Sequence, residues 1–223
     1  MERNVRMEDI SDGKLYNSND MVKADCGGCI GCSHCCRVMV DTIILDPWDL
    51  FHLMQKLNCT VETLLQDKIE LNVVDGIILP NLKLNGDGCG FLDANGRCQV
   101  HDARPGFCRL FPLGRYYENR SFKYFLQTHE CTKENRTKIK IKKWLGIPDL
   151  ARYEQYICDW HYFLKDVQKK IEASSDSDSN FAKEANMLIL QIFFMTPYNI
   201  QEDFYPQFEA RLRVVSEQLH LIN

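Results

Sequence analysis

Five of the eleven cysteines of this chain lie between residues 26 and 36, and this cluster constrains the fold more than any other feature. The five are Cys26, Cys29, Cys32, Cys35 and Cys36, and the segment that holds them also contains three glycines. Glycine permits the tight turns that bring neighbouring thiolates onto one ion. Two residues between successive cysteines are the spacing of zinc knuckles and iron–sulfur loops. The segment is therefore predicted to be a metal-binding loop.

The adjacent residues Cys35 and Cys36 bear on the number of metal positions. In an extended backbone, neighbouring side chains point in opposite directions, so such a pair does not readily bind one ion. The pair indicates either two metal positions that flank one loop, or one ligand beside a free or bridging thiol.

Further cysteines follow the cluster, each beside glycine, proline or turn residues. Two four-cysteine centres need eight thiolates, and the two groups together offer nine. The predicted metal ligands are Cys29, Cys32, Cys35, Cys36, Cys89, Cys98, Cys108 and Cys131, with Cys26 as the ninth that this count leaves over. Cys59 and Cys158 have no partner at ligand spacing, and both are predicted to be buried apolar residues.

The identity of the metal stays open at this point. Thiolate ligation suits zinc and iron–sulfur clusters alike, and the spacing does not separate them. A closed zinc site would make the cluster purely structural. His34 and His101 lie near the cysteines in sequence and are predicted to hydrogen-bond to the ligands rather than to bind metal.

Arginines stand beside two of the predicted ligands. Arg97 precedes Cys98, and Arg104 and Arg109 bracket Cys108. Cations stabilise thiolates, and they also attract anions. Arg104 and Arg109 are therefore predicted to bind an anionic substrate or cofactor near the cluster. Ordinary helix capping and salt bridging would explain these arginines equally well.

Composition limits the class of protein. The chain has 223 residues, of which 45% are hydrophobic, with a formal net charge of −4 and an isoelectric point of about 5.9. This balance argues against nucleic acid as a partner. No apolar run is long enough to span a bilayer, and the charged N-terminus lacks the apolar core of a secretion signal. We therefore expect a cytoplasmic protein whose cysteines remain reduced.

Pattern and turn residues predict an α+β fold: a small, β-rich and loop-rich cysteine core surrounded by helices, with a helical C-terminal third. The expected divisions are an N-terminal arm over residues 1–25, loosely ordered in its first twenty residues, a metal-cluster domain over 26–145, and a helical region over 146–223 packed on it. Within the core we expect a β-rich stretch over Val38–Leu45, helices from Asp46-Pro47 and over Val61–Asp67, a hairpin at Asp75-Gly76, a helical turn after Arg104-Pro105, and a hairpin over Arg115–Gln127.

A run rich in lysine and arginine follows Cys131 and is predicted to form a basic helix from Thr132 to Leu145. Because the chain as a whole is acidic, a solvated helix face is preferred here over a nucleic-acid surface. Three further helices are expected over Leu150–Glu172, Phe181–Thr196 and Gln201–Leu221, with a polar linker near residues 173–180.

These motifs together resemble a known family. Cys29-x-x-Cys32-x-x-Cys35-Cys36 is followed by Gly88-Cys89-Gly90-Phe91-Leu92, Gly96-Arg97-Cys98, Arg104-Pro105-Gly106-Phe107-Cys108-Arg109 and finally Cys131. The combination resembles the YkgJ-type CxxCxxCC cysteine-cluster family of zinc- or iron-chelating proteins. The flagellin lysine N-methylases carry a similar cysteine core, so the resemblance also implies a methyl transfer that depends on S-adenosylmethionine. The C-terminal helices carry no motif of those methylases, and no Gly-x-Gly-x-x-Gly loop follows a strand.

Three hypotheses follow. The first is a protein with one or two iron–sulfur clusters, of the 4Fe–4S type, that act in redox chemistry or position a substrate. The second is an enzyme similar to the lysine N-methyltransferases, and the third is a zinc-stapled interaction module. The partner would be a protein or a small molecule, with neither nucleic acid nor membrane involved. The sequence leaves open whether the chain is an enzyme, since an iron–sulfur oxidoreductase and a methyltransferase are both compatible with it.

Overall fold

The computed structural model describes residues 6–27, 29, 32–174 and 179–221. Its helices are α1 (Met7–Ile10), α2 (Cys35–Val38), α3 (Pro47–Leu57), α4 (Val61–Asp67), α5 (Gly106–Leu110), α6 (Ile141–Leu145), α7 (Leu150–Ala173), α8 (Ser179–Ile189) and α9 (Phe204–Gln218). Its strands are β1 (Met21–Asp25), β2 (Ile69–Val74), β3 (Ile77–Leu82), β4 (Leu84–Asn85), β5 (Gly88–Cys89), β6 (Leu113–Glu118), β7 (Ser121–Leu126) and β8 (Thr137–Lys140). Short 3-10 helices cover Val40–Thr42 and His101–Ala103, and a π-helix covers Leu190–Met195.

The strands form small antiparallel sheets of two strands each: β1 with β8, β2 with β3, β4 with β5, and β6 with β7. Helices surround these sheets, and the C-terminal region from α7 to α9 is helical. The predicted α+β fold class is therefore confirmed. No helix among the described residues is both long enough and apolar enough to cross a membrane.

Local signals place α3 and both hairpins where the sequence predicts them. The Asp46 side chain caps α3 by accepting the N–H of Asp49, and Pro47 takes the first helical position. The β2–β3 hairpin turns at Asp75 and Gly76, with φ of 50° and 81°. Two successive left-handed residues give the tight turn whose twist matches that of the strands. The β6–β7 hairpin turns in the same way after Glu118.

The predicted basic helix over Thr132–Leu145 is wrong. Residues 132–136 are not helical, β8 covers Thr137–Lys140, and only the last part of the run is helical, as α6. The reason is a pairing with β1 that is distant in sequence: Met21 lies opposite Lys140, and Val22 lies opposite Ile139. The alternation of Lys138, Ile139 and Lys140 suits a strand with one buried face.

Two N-terminal predictions also need correction. Residues 6–20 are not a loose arm, because Tyr16 and Tyr124 exchange backbone hydrogen bonds of 2.8 and 2.9 Å, and α1 precedes this contact. Val38–Leu45 is not a β-rich stretch, since it contains the end of α2 and a 3-10 helix. Its last residue contacts β3 through a bond from the Leu45 N–H to the Pro80 carbonyl.

The C-terminal helices cover the core with aromatic side chains. On α7 the buried residues are Tyr153, Tyr156, Ile157, Trp160, Phe163 and Val167. The ring of Tyr153 lies 4.9 Å from that of Trp48 on α3, and Tyr156 lies 4.6 Å from Phe208 on α9. Part of the predicted linker, residues 175–178, lies outside the described residues. The predicted domain boundaries stay a prediction.

Candidate metal centre

Short, separate elements carry the predicted ligands. Cys26 directly follows β1, Cys35 and Cys36 open α2, Cys89 ends β5, and Cys108 lies in α5. Strand β5 approaches α2 closely, because a side chain on Gly88 would meet the Cys36 carbonyl at 3.4 Å and a Leu92 methyl at 2.9 Å. Residues far apart in the sequence thus meet at the start of α2.

Four thiols lie within electrostatic reach of one another, and we call them the Cys35 quartet: Cys35, Cys89, Cys98 and Cys108. Burial, and after it the neighbouring Asp49, raise the pKa of Cys108 well above its ordinary value, and the other three thiols raise it further. The pKa of Cys89 and that of Cys98 are also raised, first by burial, and Cys35 adds to both. Cys89, Cys98 and Cys108 therefore resist ionisation, mainly through burial and in part through neighbouring thiols, and a thiophilic cation would relieve this repulsion.

Backbone N–H groups already face two sulfurs of the Cys35 quartet. The N–H of Phe91 donates to the Cys89 sulfur, and the N–H of Val100 donates to the Cys98 sulfur. Both bonds run from a residue two positions after the cysteine, and both lower the pKa of the thiol that accepts them. Hydrogen bonds of this kind stabilise the thiolate form that binds metal.

A second set of thiols adjoins the quartet. The sulfurs of Cys26 and Cys29 lie 3.6 Å apart. Burial raises the pKa of Cys29 to about 12, with further contributions from Cys26 and Cys35. Cys35 in turn shares a side-chain hydrogen bond with Cys36, which is the largest cause of its raised pKa. The premise of an extended backbone at Cys35 and Cys36 was wrong, because both residues are helical.

Four cysteines stand apart from these contacts. Among the described residues, the side chains of Cys32 and Cys131 show no contact with another thiol, although the Cys32 N–H donates to the Cys29 carbonyl at 3.0 Å. Cys59 and Cys158 lie elsewhere, as predicted, but both are partly exposed rather than buried. Burial raises the pKa of Cys158 to about 11, and its charged neighbours are on α7 and β6.

The two arginines at Cys108 have different roles. Arg104 lowers the pKa of Cys29 and of Cys98, and its Nη1 lies 3.1 Å from Nε2 of His101. The Nε of Arg104 is buried without a hydrogen-bond partner in the described part of the chain. Arg109 instead donates to the backbone carbonyls of Arg104, at 2.9 Å, and of Asp102. Arg104 is thus the arginine that faces the thiols, whereas Arg109 stabilises the segment before α5 through these two carbonyls.

Sequence reasoning missed two charged residues of the site. Lys68, directly after α4, lowers the pKa of Cys89 and donates to the Gly90 carbonyl at 2.9 Å. Asp49 is 1% exposed, and its Oδ1 accepts the N–H of Gly106, the first residue of α5, at 2.7 Å. The capping pattern could have identified Asp49 as a helix cap, but nothing local pairs Lys68 with a cysteine twenty-one positions later.

The thiols are close neighbours but do not form a finished ligand sphere. Among the described residues, no three His, Cys, Asp or Glu side chains are arranged at metal-ligand geometry. The donor set is nevertheless sulfur-rich, with cations and N–H groups placed to stabilise thiolates, which is the chemistry of zinc and iron–sulfur sites. The residues therefore fit such a group, and binding it requires the sulfurs to draw closer.

A family model for CxxCxxCC, described as "Putative zinc- or iron-chelating domain", matches residues 28–137. Residues 28–137 belong to the CxxCxxCC family. The matched segment contains every predicted ligand except Cys26, so the CxxCxxCC domain includes the whole Cys35 quartet. The family description supports metal binding in general and does not separate zinc from iron. No curated protein and no solved structure matches the chain significantly.

Proposed function

We propose that the CxxCxxCC domain of this protein holds an iron–sulfur cluster on the thiols of the Cys35 quartet and acts in electron transfer or in positioning a substrate. The observation that carries the proposal is that Cys108 lies within electrostatic reach of Cys35, Cys89 and Cys98. Four thiolates are the usual ligand set of a 4Fe–4S cluster. A bound cluster of this type supplies reversible one-electron chemistry.

The number of thiols favours a polynuclear centre over a single zinc ion. Beside the quartet lie Cys26, Cys29 and Cys36, which are linked to it through Cys29 and Cys35. One structural zinc ion takes four ligands and would leave these three thiols without a role. An iron–sulfur cluster with a second centre or a bridging thiol nearby uses more of them, in line with the predicted one or two clusters.

The surroundings are suited to a charged, partly accessible centre. Arg104 and Lys68 face the thiols and offset the negative charge that four thiolates bring. A cavity of about 140 Å³ is lined by Cys89 and by Arg37 and Asp87, which form an ion pair. The predicted methyl transfer has no comparable support, because no described residue marks a site for S-adenosylmethionine.

Anaerobic reconstitution tests this proposal. The full chain is incubated with ferrous iron and sulfide, and absorbance, electron paramagnetic resonance and metal content are measured. We expect a brown protein with about four irons per cluster. Cys108→Ser should lower the iron content, whereas the matched change Cys158→Ser should not. A colourless protein that retains one zinc ion would contradict the iron–sulfur assignment. Full iron content in Cys108→Ser would show that the Cys35 quartet does not bind the cluster.

A further inference from the structure

A two-stranded sheet beside the thiols exposes an unusual concentration of positive charge. On β1 and β8 the side chains of Val22 and Ala24 point into the core, whereas Lys23, Lys138 and Lys140 are exposed. We call the outward side of this sheet, formed by these three lysines and Met21, the lysine face. Met21 lies directly opposite Lys140 in the register, and Lys23 lies in the stretch between Val22 and Asp25 where the register shifts.

The described part of the chain offers the lysine face no ion-pair partner. Among the described residues, no carboxylate lies within ion-pair distance of its three lysines. Like charges held on one face of a two-stranded sheet repel one another. An anionic partner would relieve this repulsion.

Neighbouring charges define the extent of the positive surface. Lys142 and Lys143 on α6 are exposed beyond one end of β8 and extend the positive surface. The acidic neighbours are Asp20, directly before β1, and Asp25, the last residue of β1. Asp20 accepts the N–H of Asn17 at 2.7 Å, and Asp25 accepts the N–H of Gly27 at 2.9 Å. These two carboxylates limit the length of anion that the face can hold.

From these features we propose that the lysine face binds a short, extended, acidic segment of a partner protein. Strands of four and five residues are about 13 to 17 Å long, which matches a segment of similar length. Lys138 and Lys140 alternate with the partly buried Ile139, so they would meet acidic side chains that recur at every second position of a strand. Within the described residues β8 pairs only with β1, which leaves its other edge free to receive such a strand.

A peptide is favoured over nucleic acid by two observations. The chain has a formal net charge of −4, so a long polyanion would be repelled outside the face. Met21, which is 47% exposed between the lysines, offers an apolar contact that suits a side chain better than a phosphate backbone. The proposal concerns a surface outside the thiol site, so it does not depend on which metal the protein binds.

Fluorescence anisotropy with the full chain tests the proposal. The probe is a fluorescein-labelled octapeptide of alternating glutamate and threonine, and its glutamine–threonine counterpart is the uncharged control. We expect saturable binding of the acidic peptide alone, weakening as salt screens the charges. Lys138→Gln combined with Lys140→Gln should weaken binding about five- to tenfold. Lys169→Gln combined with Lys183→Gln removes two exposed lysines from α7 and α8 and should leave the affinity unchanged.

Three results would overturn the proposal. One is equal affinity for the acidic peptide in the two double variants. Another is equal or tighter binding of a thymidine pentanucleotide, which carries the same four charges and would show that the face accepts any polyanion. The last is self-association of the Lys138 and Lys140 variant with unchanged peptide binding, because the lysines would then serve only to protect an edge strand. Far-UV circular dichroism confirms that each variant is folded.

Discussion

The Asp49 carboxylate connects the starts of two helices. Its Oδ2 accepts the N–H of Asp46 at 3.1 Å, and its Oδ1 accepts the N–H of Gly106, so α3 and α5 share one buried acceptor. Both oxygens are used as acceptors, and neither has solvent as a substitute. Because α5 carries Cys108, the same carboxylate also positions one thiol of the Cys35 quartet.

We predict that Asp49→Asn destabilises the protein by about 2 to 4 kcal/mol, because the new amide group places a donor against a backbone N–H and leaves it unsatisfied. Urea unfolding measures the change. The control is Asp102→Asn, which removes an exposed ion pair with Lys56 and should change the free energy of unfolding far less. Equal effects of the two substitutions would show that Asp49 does not connect these helices.

His161 makes stability depend on pH. Its ring is stacked on Tyr117 with a centroid distance of 3.6 Å, and burial is the main cause that lowers its pKa to about 4, with Lys165 and Arg115 adding to the shift. The folded pKa lies below the ordinary value near 6.5, so the contribution is complete above about pH 6.5 and is lost as the pH falls towards 4.

We therefore predict that the melting temperature falls between about pH 6.5 and 4, and that His161→Phe, which keeps a stacked ring, makes this fall smaller. Thermal unfolding followed by circular dichroism at several pH values gives the comparison. His220→Asn alters an exposed histidine and should leave the pH dependence as it is. An unchanged profile in His161→Phe would assign the acid sensitivity to other groups.

At the scale of elements, the two hairpins depend on glycine for different reasons. Gly76 adopts φ of 81° with no atom within 4 Å of an added side chain, so its role is purely conformational. Gly114 on β6 lies opposite Phe125, whose ring occupies the space that a side chain would need. The same substitution should therefore act through backbone strain in one hairpin and through a steric clash in the other.

We predict that Gly76→Ala costs about 1 kcal/mol, as expected for a left-handed position, and that Gly114→Ala costs about 2 to 3 kcal/mol through overpacking. The difference appears in the free energy of unfolding from chemical denaturation. Adding Phe125→Leu should recover part of the loss in Gly114→Ala and none in Gly76→Ala. Recovery in both variants, or in neither, would contradict this assignment.

Elements whose signals are local could be predicted from the sequence, and elements that depend on distant pairing could not. Asp46-Pro47 and Asp75-Gly76 each carry their own turn or cap chemistry, so α3 and the β2–β3 hairpin were found. The run after Cys131 looks helical by composition, but the pairing of Ile139 with Val22 decides its conformation.

The thiol group shows the same limit. Spacing identified the cysteines but not their grouping, because the members of the Cys35 quartet lie in segments that are far apart in the sequence. Spacing also suggested opposite directions for the adjacent thiols, which holds for a strand and fails for the helix that actually forms. Among the charged neighbours of the thiols, Arg104 was predicted from the sequence and Lys68 was missed.

At the scale of the whole molecule, the cysteine-rich part and the C-terminal helices share one core. On α3, the backbone N–H of Trp48 donates to the Tyr156 hydroxyl at 3.1 Å, and the ring of Phe51 lies 5.4 Å from that of Phe204. The core of the cysteine-rich part therefore loses much of its cover if residues 146–223 are absent.

We predict that a chain ending at Leu145 does not fold cooperatively, because the apolar face of α3 becomes exposed to solvent. Near-UV circular dichroism and binding of a hydrophobic dye report the loss of fixed packing. A chain ending at Leu221 retains α9 and the buried Leu219 and should behave like the full protein. Cooperative unfolding of the shorter chain would instead support an independent metal-cluster domain, as the sequence suggests.

The contact between Gly106 and Tyr153 has a consequence for how related sequences can vary. Gly106 begins α5, and the hydroxyl of Tyr153 on α7 fills the space that any larger residue would need there. A relative with alanine in place of Gly106 should therefore carry, in place of Tyr153, a side chain that is shorter or lacks the hydroxyl. These two sites, one in the cysteine-rich part and one in the helical region, are expected to change together during evolution.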